Sequence, residues 1–229
     1  EVTDTSVTAA IATQLRTLDS DNDDDTTTAS VTEGFSVHAD GVATAGEFAI
    51  EDAQANVVAT ANSAAVTAAS AVTLSDAALT AAQVAAADTA GDLAAGYNMS
   101  DTYANLALTQ GTVGGSTVLF ANSAANVTIT NNLSTSQATS ADSWTNTGTL
   151  TFNVRDIATR IATDQAASSV TDNAAQVTVS TAASAAEAAY ISEMSNIVGG
   201  YAISDEAANI ASALSTANAA DTADRETVI

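Results

Sequence analysis

The chain contains no cysteine and no proline, one histidine, one tryptophan and, among 229 residues, only four cationic side chains, all of them arginine. Each shortage excludes a chemistry. Without cysteine there is no disulfide, no thiolate nucleophile and no Cys-based zinc or iron–sulfur site. Without lysine there is no Schiff base and no phosphate-binding lysine of the Walker type. Four cations cannot neutralise a row of phosphates, so no nucleic-acid partner is expected. The 27 acidic residues, which set a net charge of −23, argue against docking on an anionic membrane. A lone His38 leaves no multi-histidine metal site and little room for a Ser-His-Asp triad, and the chain is not read as an enzyme. No run approaches 18 apolar residues, so no membrane insertion is expected. The opening Glu1-Val-Thr-Asp4 is neither basic nor apolar, as a signal peptide would be.

Valine, isoleucine, leucine and phenylalanine make up 44 of the 229 residues, which at this charge borders on a disordered composition. Abundant alanine and the missing proline point the other way, and an internal repeat decides for order. Four segments share the pattern aromatic, x, apolar, x, Asp: Phe48–Asp52, Tyr97–Asp101, Phe152–Asp156 and Tyr201–Asp205. Their aspartates are 49, 55 and 49 residues apart. A helix-like run follows each, with Asn56, Asn105 and Asn209 four residues past the aspartate and Arg160 in the fourth copy. A second set falls midway: Val72-Thr-Leu-Ser-Asp76, Val127-Thr-Ile-Thr-Asn131 and Val177-Thr-Val-Ser-Thr181, each followed by an alanine-rich run holding Gln83, Gln137 or Glu187. The longest spacing, Asp101 to Asn131, contains Gly111, Gly114 and Gly115, and 109–126 reads as a Gly-containing insertion loop.

Alternation within each short segment predicts a half-buried strand, with Phe48, Tyr97, Phe152 and Tyr201 facing inward. The aspartate suits a helix N-cap. One strand and one short helix cannot bury an apolar face alone, but stacked copies can. The expected fold is therefore an α/β repeat: a single βα solenoid over residues 1–229, of about nine coils of about 25 residues, with a parallel sheet on one side and short alanine-rich helices on the other. Asn56, Asn105 and Asn209 are expected to bond to the backbone of a neighbouring coil.

Tyr97-Asn-Met-Ser-Asp-Thr-Tyr-Ala-Asn-Leu-Ala and Tyr201-Ala-Ile-Ser-Asp-Glu-Ala-Ala-Asn-Ile-Ala, with Val127-Thr-Ile-Thr and Val177-Thr-Val-Ser, resemble the S-D-T-A-A-N-L-A repeats of very large secreted bacterial proteins of the adhesin, surface-layer and haemolysin-like kinds. The resemblance covers most of the chain from about residue 48 on. It implies an extracellular or cell-surface location and a structural or adhesive role. The Gly-rich nonapeptide that binds calcium in such proteins is absent from this sequence.

The string Asp19-Ser-Asp21-Asn-Asp23-Asp-Asp25 offers alternate carboxylates to a hard cation, with Ca²⁺ the natural candidate, but lacks the Gly and Glu of an EF-hand. Its ordinary reading is a solvated acidic loop over 19–30. Arg155, Arg160 and Arg225 read as salt-bridge partners, and the exposure of Trp144 is left open. Neither end shows a distinct polar cap: Val2 opens the first coil and Val228-Ile229 closes the last. Uncapped ends favour end-to-end self-association. The expected function is that of an extracellular structural protein, a subunit or segment of a filament, sheath or surface layer. The alternative is a secreted adhesin or ligand-binding module, in contact with a cell surface or carbohydrate, with Ca²⁺ as its candidate cofactor.

Overall fold

A computed structural model describes residues 6–19, 30–31, 35–36, 49–167 and 169–215. In chain order the elements are α1 (Ala9–Asp19), β1 (Ser30–Val31), β2 (Phe35–Ser36), β3 (Ala49–Asp52), α2 (Gln54–Val57), α3 (Ser63–Ala68), β4 (Ala71–Leu74), α4 (Ala81–Ala90), β5 (Asn98–Asp101), α5 (Tyr103–Leu108), β6 (Gln110–Val113), β7 (Ser116–Leu119), α6 (Phe120–Ser123), β8 (Asn126–Leu133), α7 (Thr135–Asp142), β9 (Leu150–Asp156), α8 (Ala158–Ala167), β10 (Gln176–Val179) and α9 (Ala185–Ile191). Residues 207–215 are also helical. No helix among the described residues is long and apolar enough to cross a membrane.

The chain divides into two compact units, one of residues 1–130 and 144–150, the other of residues 131–143 and 151–229. In the first, β3 and β4 pair in parallel with Ile50 opposite Val72. Single bridges continue the row from Val7 to Ile50, from Val72 to Leu93 and from Leu93 to Val113. A second row runs from Leu79 to Met99 and, through the parallel pair β5–β8, to Val127. All of these apolar residues are buried, which makes the two rows the core of the unit. Period-two alternation explains the choice: in β4, Val72 and Leu74 face in while Thr73 faces out. In the second unit β9 and β10 pair in parallel with Val154 opposite Val177, and bridges follow from Val177 to Ile197 and from Ala183 to Ile203.

This is not the single nine-coil solenoid that the repeat suggests. The strands fall into one four-stranded sheet, ordered β10-β9-β8-β5, and three two-stranded ones. Two of the small sheets, β1–β2 and β6–β7, are antiparallel. Two physical causes stand out. At Gly114-Gly115, both with positive φ (55° and 77°), the chain reverses, so 109–126 folds as the hairpin β6–β7 followed by α6. Elsewhere the alanine- and aspartate-rich connections supply only one-residue bridges at Leu79, Leu93 and Ala183, because such residues have little strand propensity.

The inward aromatics follow their parity. Tyr97 and Phe152 are buried, Tyr201 is half-buried, and Phe48 lies outside the described residues. The Tyr97 hydroxyl donates to the Phe120 carbonyl at 3.1 Å. Burial, with help from the Asp88 charge, pushes the Tyr97 phenol above its ordinary pKa.

Candidate functional site

The recurring aspartates end their strands and use both carboxylate oxygens. Asp101 Oδ1 accepts the N–H of Thr102 at 2.7 Å and the Asn105 side-chain amide at 2.8 Å. Its Oδ2 accepts the N–H of Ala81, the first residue of α4, at 3.0 Å. Asp205 repeats the arrangement with Glu206, Asn209 and Ala185, the first residue of α9. Asp52 repeats it with Ala53, Asn56 and Ala9, the first residue of α1. In the fourth copy Asp156 takes Ile157 N–H and, at 2.9 Å, Thr135 N–H at the start of α7, while Arg160 fills the asparagine's place at 3.5 Å from Oδ1. Each aspartate therefore holds its own strand end with one oxygen and the start of an earlier helix with the other. We call this unit a clasp.

The second set of strands does the same with less. Asp76 Oδ2 accepts the N–H of Gln54, the first residue of α2, and Thr181 Oγ1 accepts that of Ala158, the first residue of α8, at 3.0 Å. Helix N-termini suit these acceptors, since their first N–H groups have no partner within the helix and the macrodipole favours negative charge there.

Three helices add a reciprocal cap. Thr80 and Gln83 at α4, Ser134 and Gln137 at α7, and Ser184 and Glu187 at α9 each exchange side-chain and backbone hydrogen bonds. The cap residues are thus Thr80, Thr102, Ser134 and Ser184, and the aspartate expected to cap its helix stands one position outside it. The asparagines also differ from expectation: they donate to the aspartate of their own repeat, not to a neighbouring backbone.

The electrostatics follow from these bonds. Burial pushes the Asp101 carboxyl up, but the hydrogen bonds from Asn105, Thr102 and Ala81 outweigh it and hold the group below its ordinary pKa. In Asp156, buried at 7% exposure, burial is again the largest influence, and bonds from Thr135 and Ile157 with the Arg160 charge bring the net shift below ordinary. Asn209, Ala185 and Glu206 lower Asp205, and the Thr159 hydroxyl and Ser184 lower Glu187.

Other side chains named from the sequence are dispersed. His38, Arg225, Val2, Val228, Ile229 and the side chains of Asp19, Asp21, Asp23 and Asp25 lie outside the described residues. Among the described residues no three His, Cys, Asp or Glu side chains are placed to hold a metal. Arg155 is exposed. Trp144 is half-buried and stacks on Tyr103, with ring centroids 6.0 Å apart and planes 7° from parallel. Buried Asp164, which sequence reading passed over, accepts the N–H and hydroxyl of Thr171 at 2.9 and 2.8 Å. Between α8 and α9 lies a shallow groove of about 380 Å³, lined by four alanines with Thr159, Thr163, Glu187 and Tyr190.

No known protein family, curated protein or solved structure matches the chain.

Proposed function

We propose that the chain is an extracellular structural protein, a subunit or segment of a surface filament, sheath or surface layer that extends by addition of further repeats. The observation that carries this reading is the clasp. The side chains that recur most regularly, Asp52, Asp101, Asp156 and Asp205, are engaged in joining one repeat to another. A joint made from a main-chain N–H and a carboxylate imposes no demand on the other side chains. It can therefore be repeated along an array of any length, which is how repeat proteins grow. The large negative charge keeps lateral surfaces apart, and divalent cations could bridge them. Negative-stain electron microscopy of the purified chain tests the proposal. Filaments or sheets are expected, and a field of dispersed monomers at every concentration would overturn it.

A second reading, a secreted ligand-binding module, draws on the half-buried Tyr103–Trp144 pair, since aromatic faces suit the apolar face of a sugar ring. Trp144 is the sole tryptophan, so its fluorescence is an internal reporter. Saturable quenching by a soluble polysaccharide, with or without Ca²⁺, together with dispersed monomers by microscopy, would favour this reading over the first.

A further inference from the structure

The first row of the core runs from Val7 through Ile50, Val72 and Leu93 to Val113 in β6, and β7 is the strand beyond it. Within the β6–β7 hairpin Gly111 stands opposite Val118 and Val113 opposite Ser116. The two-residue turn at Gly114-Gly115 and the bond from the Phe120 N–H to the Thr109 carbonyl fix which facing residues exchange hydrogen bonds. They are Thr109 and Phe120, Gly111 and Val118, and Val113 and Ser116. The N–H and C=O of the residues between them therefore point away from the hairpin.

The two outer edges of the hairpin differ. On the β6 edge, the Thr112 N–H is taken by the Asp88 carboxylate at 3.2 Å and the Gly114 N–H by the Leu93 carbonyl at 3.1 Å. On the β7 edge the outward groups belong to Thr117 and Leu119, and they carry no bond among the described residues. Edge strands are ordinarily protected by a charge, a proline or a bulge. Ser116-Thr-Val-Leu119 has no charge and no proline, its register is unbroken, and Ser116 and Thr117 are exposed. The strand also lies in the longest charge-free stretch of the chain. None of the 40 residues from 102 to 141 is charged, in a sequence with 27 acidic residues and 4 arginines.

We infer that β7 pairs antiparallel with β7 of a second copy of the chain, Thr117 of each copy facing Leu119 of the other and Val118 facing Val118 across a two-fold axis. Strand geometry and charge both select this occupant. In this register every outward N–H and C=O of the strand finds a partner in the same strand of the other copy, and no other register of the two strands achieves that. Two chains of charge −23 repel each other, and a charge-free segment is where they meet with least repulsion. The contact is isologous, so it closes at a dimer and covers both edges. It is small, so the pair is weak, and it strengthens as salt screens the repulsion. The inference goes beyond the structural function proposed above and does not require it.

A covalent trap tests the pairing. The chain has no cysteine, so Val118→Cys introduces its only thiol. Facing residues of a non-hydrogen-bonded pair lie about 4.5 Å apart between Cα atoms, within reach of a disulfide. The full-chain variant is oxidised with diamide at an ionic strength of about 0.3 M, where the Debye length is only a few ångströms. A denaturing, non-reducing gel then reads covalent dimers whatever larger assembly was present. Thr73→Cys, at an exposed position on β4, is the control for random collision. Thr117→Pro, added to Val118→Cys, removes an outward N–H and leaves the bonds of the hairpin in place. Circular dichroism checks that each variant melts as the parent does. The covalent dimer is expected to form about tenfold or more faster from Val118→Cys than from Thr73→Cys, and to be slowed about as much by Thr117→Pro. Equal rates for the two single-cysteine variants would overturn the pairing and leave the edge to an extended peptide of another protein. Crosslinking that Thr117→Pro leaves unchanged would overturn it too. Neither result bears on whether filaments form, which microscopy reads separately.

Discussion

At the scale of single residues, one aspartate serves two places in the chain through two oxygens. Asp156 is the most demanding copy, because it is buried and accepts the N–H groups of Ile157 and Thr135. In Asp156→Asn one oxygen becomes an NH₂ group, which sets a donor against one of those donors. Leaving a buried donor unsatisfied and losing a hydrogen bond to a charge costs on the order of 2–3 kcal/mol. Asp205 makes the same bonds in a more exposed setting, so Asp205→Asn should cost less. Urea unfolding checks the order, and equal midpoints for the two variants would show that the clasp does not depend on burial. The aspartates were legible in the sequence by their spacing, but their second partner was not. It is a main-chain N–H 20 or 21 residues earlier for Asp101, Asp156 and Asp205 and 43 earlier for Asp52, and a main-chain group leaves no signature in residue type. Arg160 was legible as a salt-bridge partner, and it pairs with Asp156, reaching the same carboxylate oxygen as the asparagines do from the same position, four residues on.

At the scale of elements, the helices are short and alanine-rich, so their ends matter more than their faces. Alanine gives a good helix interior but little side-chain area for packing. The start of α7 is fixed by Ser134 and Gln137 and by the Asp156 clasp on adjacent residues. Ser134→Ala should cost about 1 kcal/mol, the usual value of an N-cap. Combined with Asp156→Asn it should cost other than the sum, since both changes free the same helix end. Additive losses in a double-mutant cycle would argue that cap and clasp act separately. These caps were present in the sequence as Thr80-Ala-Ala-Gln83, Ser134-Thr-Ser-Gln137 and Ser184-Ala-Ala-Glu187, the S/T-x-x-E/Q signature of a helix start. Reading the strand end as the helix cap hid them, because the true cap lies one to four residues further on. The strands themselves were readable from alternation. Their grouping was not, because pairing depends on where the chain reverses, and Gly114-Gly115 reads equally well as a loop or a hairpin turn.

At the scale of the whole molecule, the acidic composition acts through two opposed effects with different ranges. Clasps are short-range bonds, and their pH dependence follows from the lowered carboxyls of Asp101, Asp156, Asp205 and Glu187. A carboxyl with a lower pKa folded than unfolded stabilises the fold fully above the unfolded value, about 4. That stability is lost as pH falls through the folded value. Thermal melts should therefore hold their midpoint down to about pH 4 and fall steeply below it, and Asp156→Asn should flatten the acid limb. Repulsion is long-range and is set by 27 acidic residues against four arginines. Among the described residues one ion pair, Arg160–Asp156, gains from low salt, and as an i,i+4 pair with an exposed arginine it is worth about 0.3–0.5 kcal/mol. Screening therefore removes far more repulsion than attraction, while the hydrogen bonds of the clasps, made at contact distance, are little affected. The melting temperature at neutral pH is expected to rise as sodium chloride is raised from about 10 mM to 0.3 M, over which the Debye length shrinks from about 30 Å to a few ångströms. A fall over that range would mean that attractive ion pairs, not hydrogen-bonded clasps, hold the repeats together.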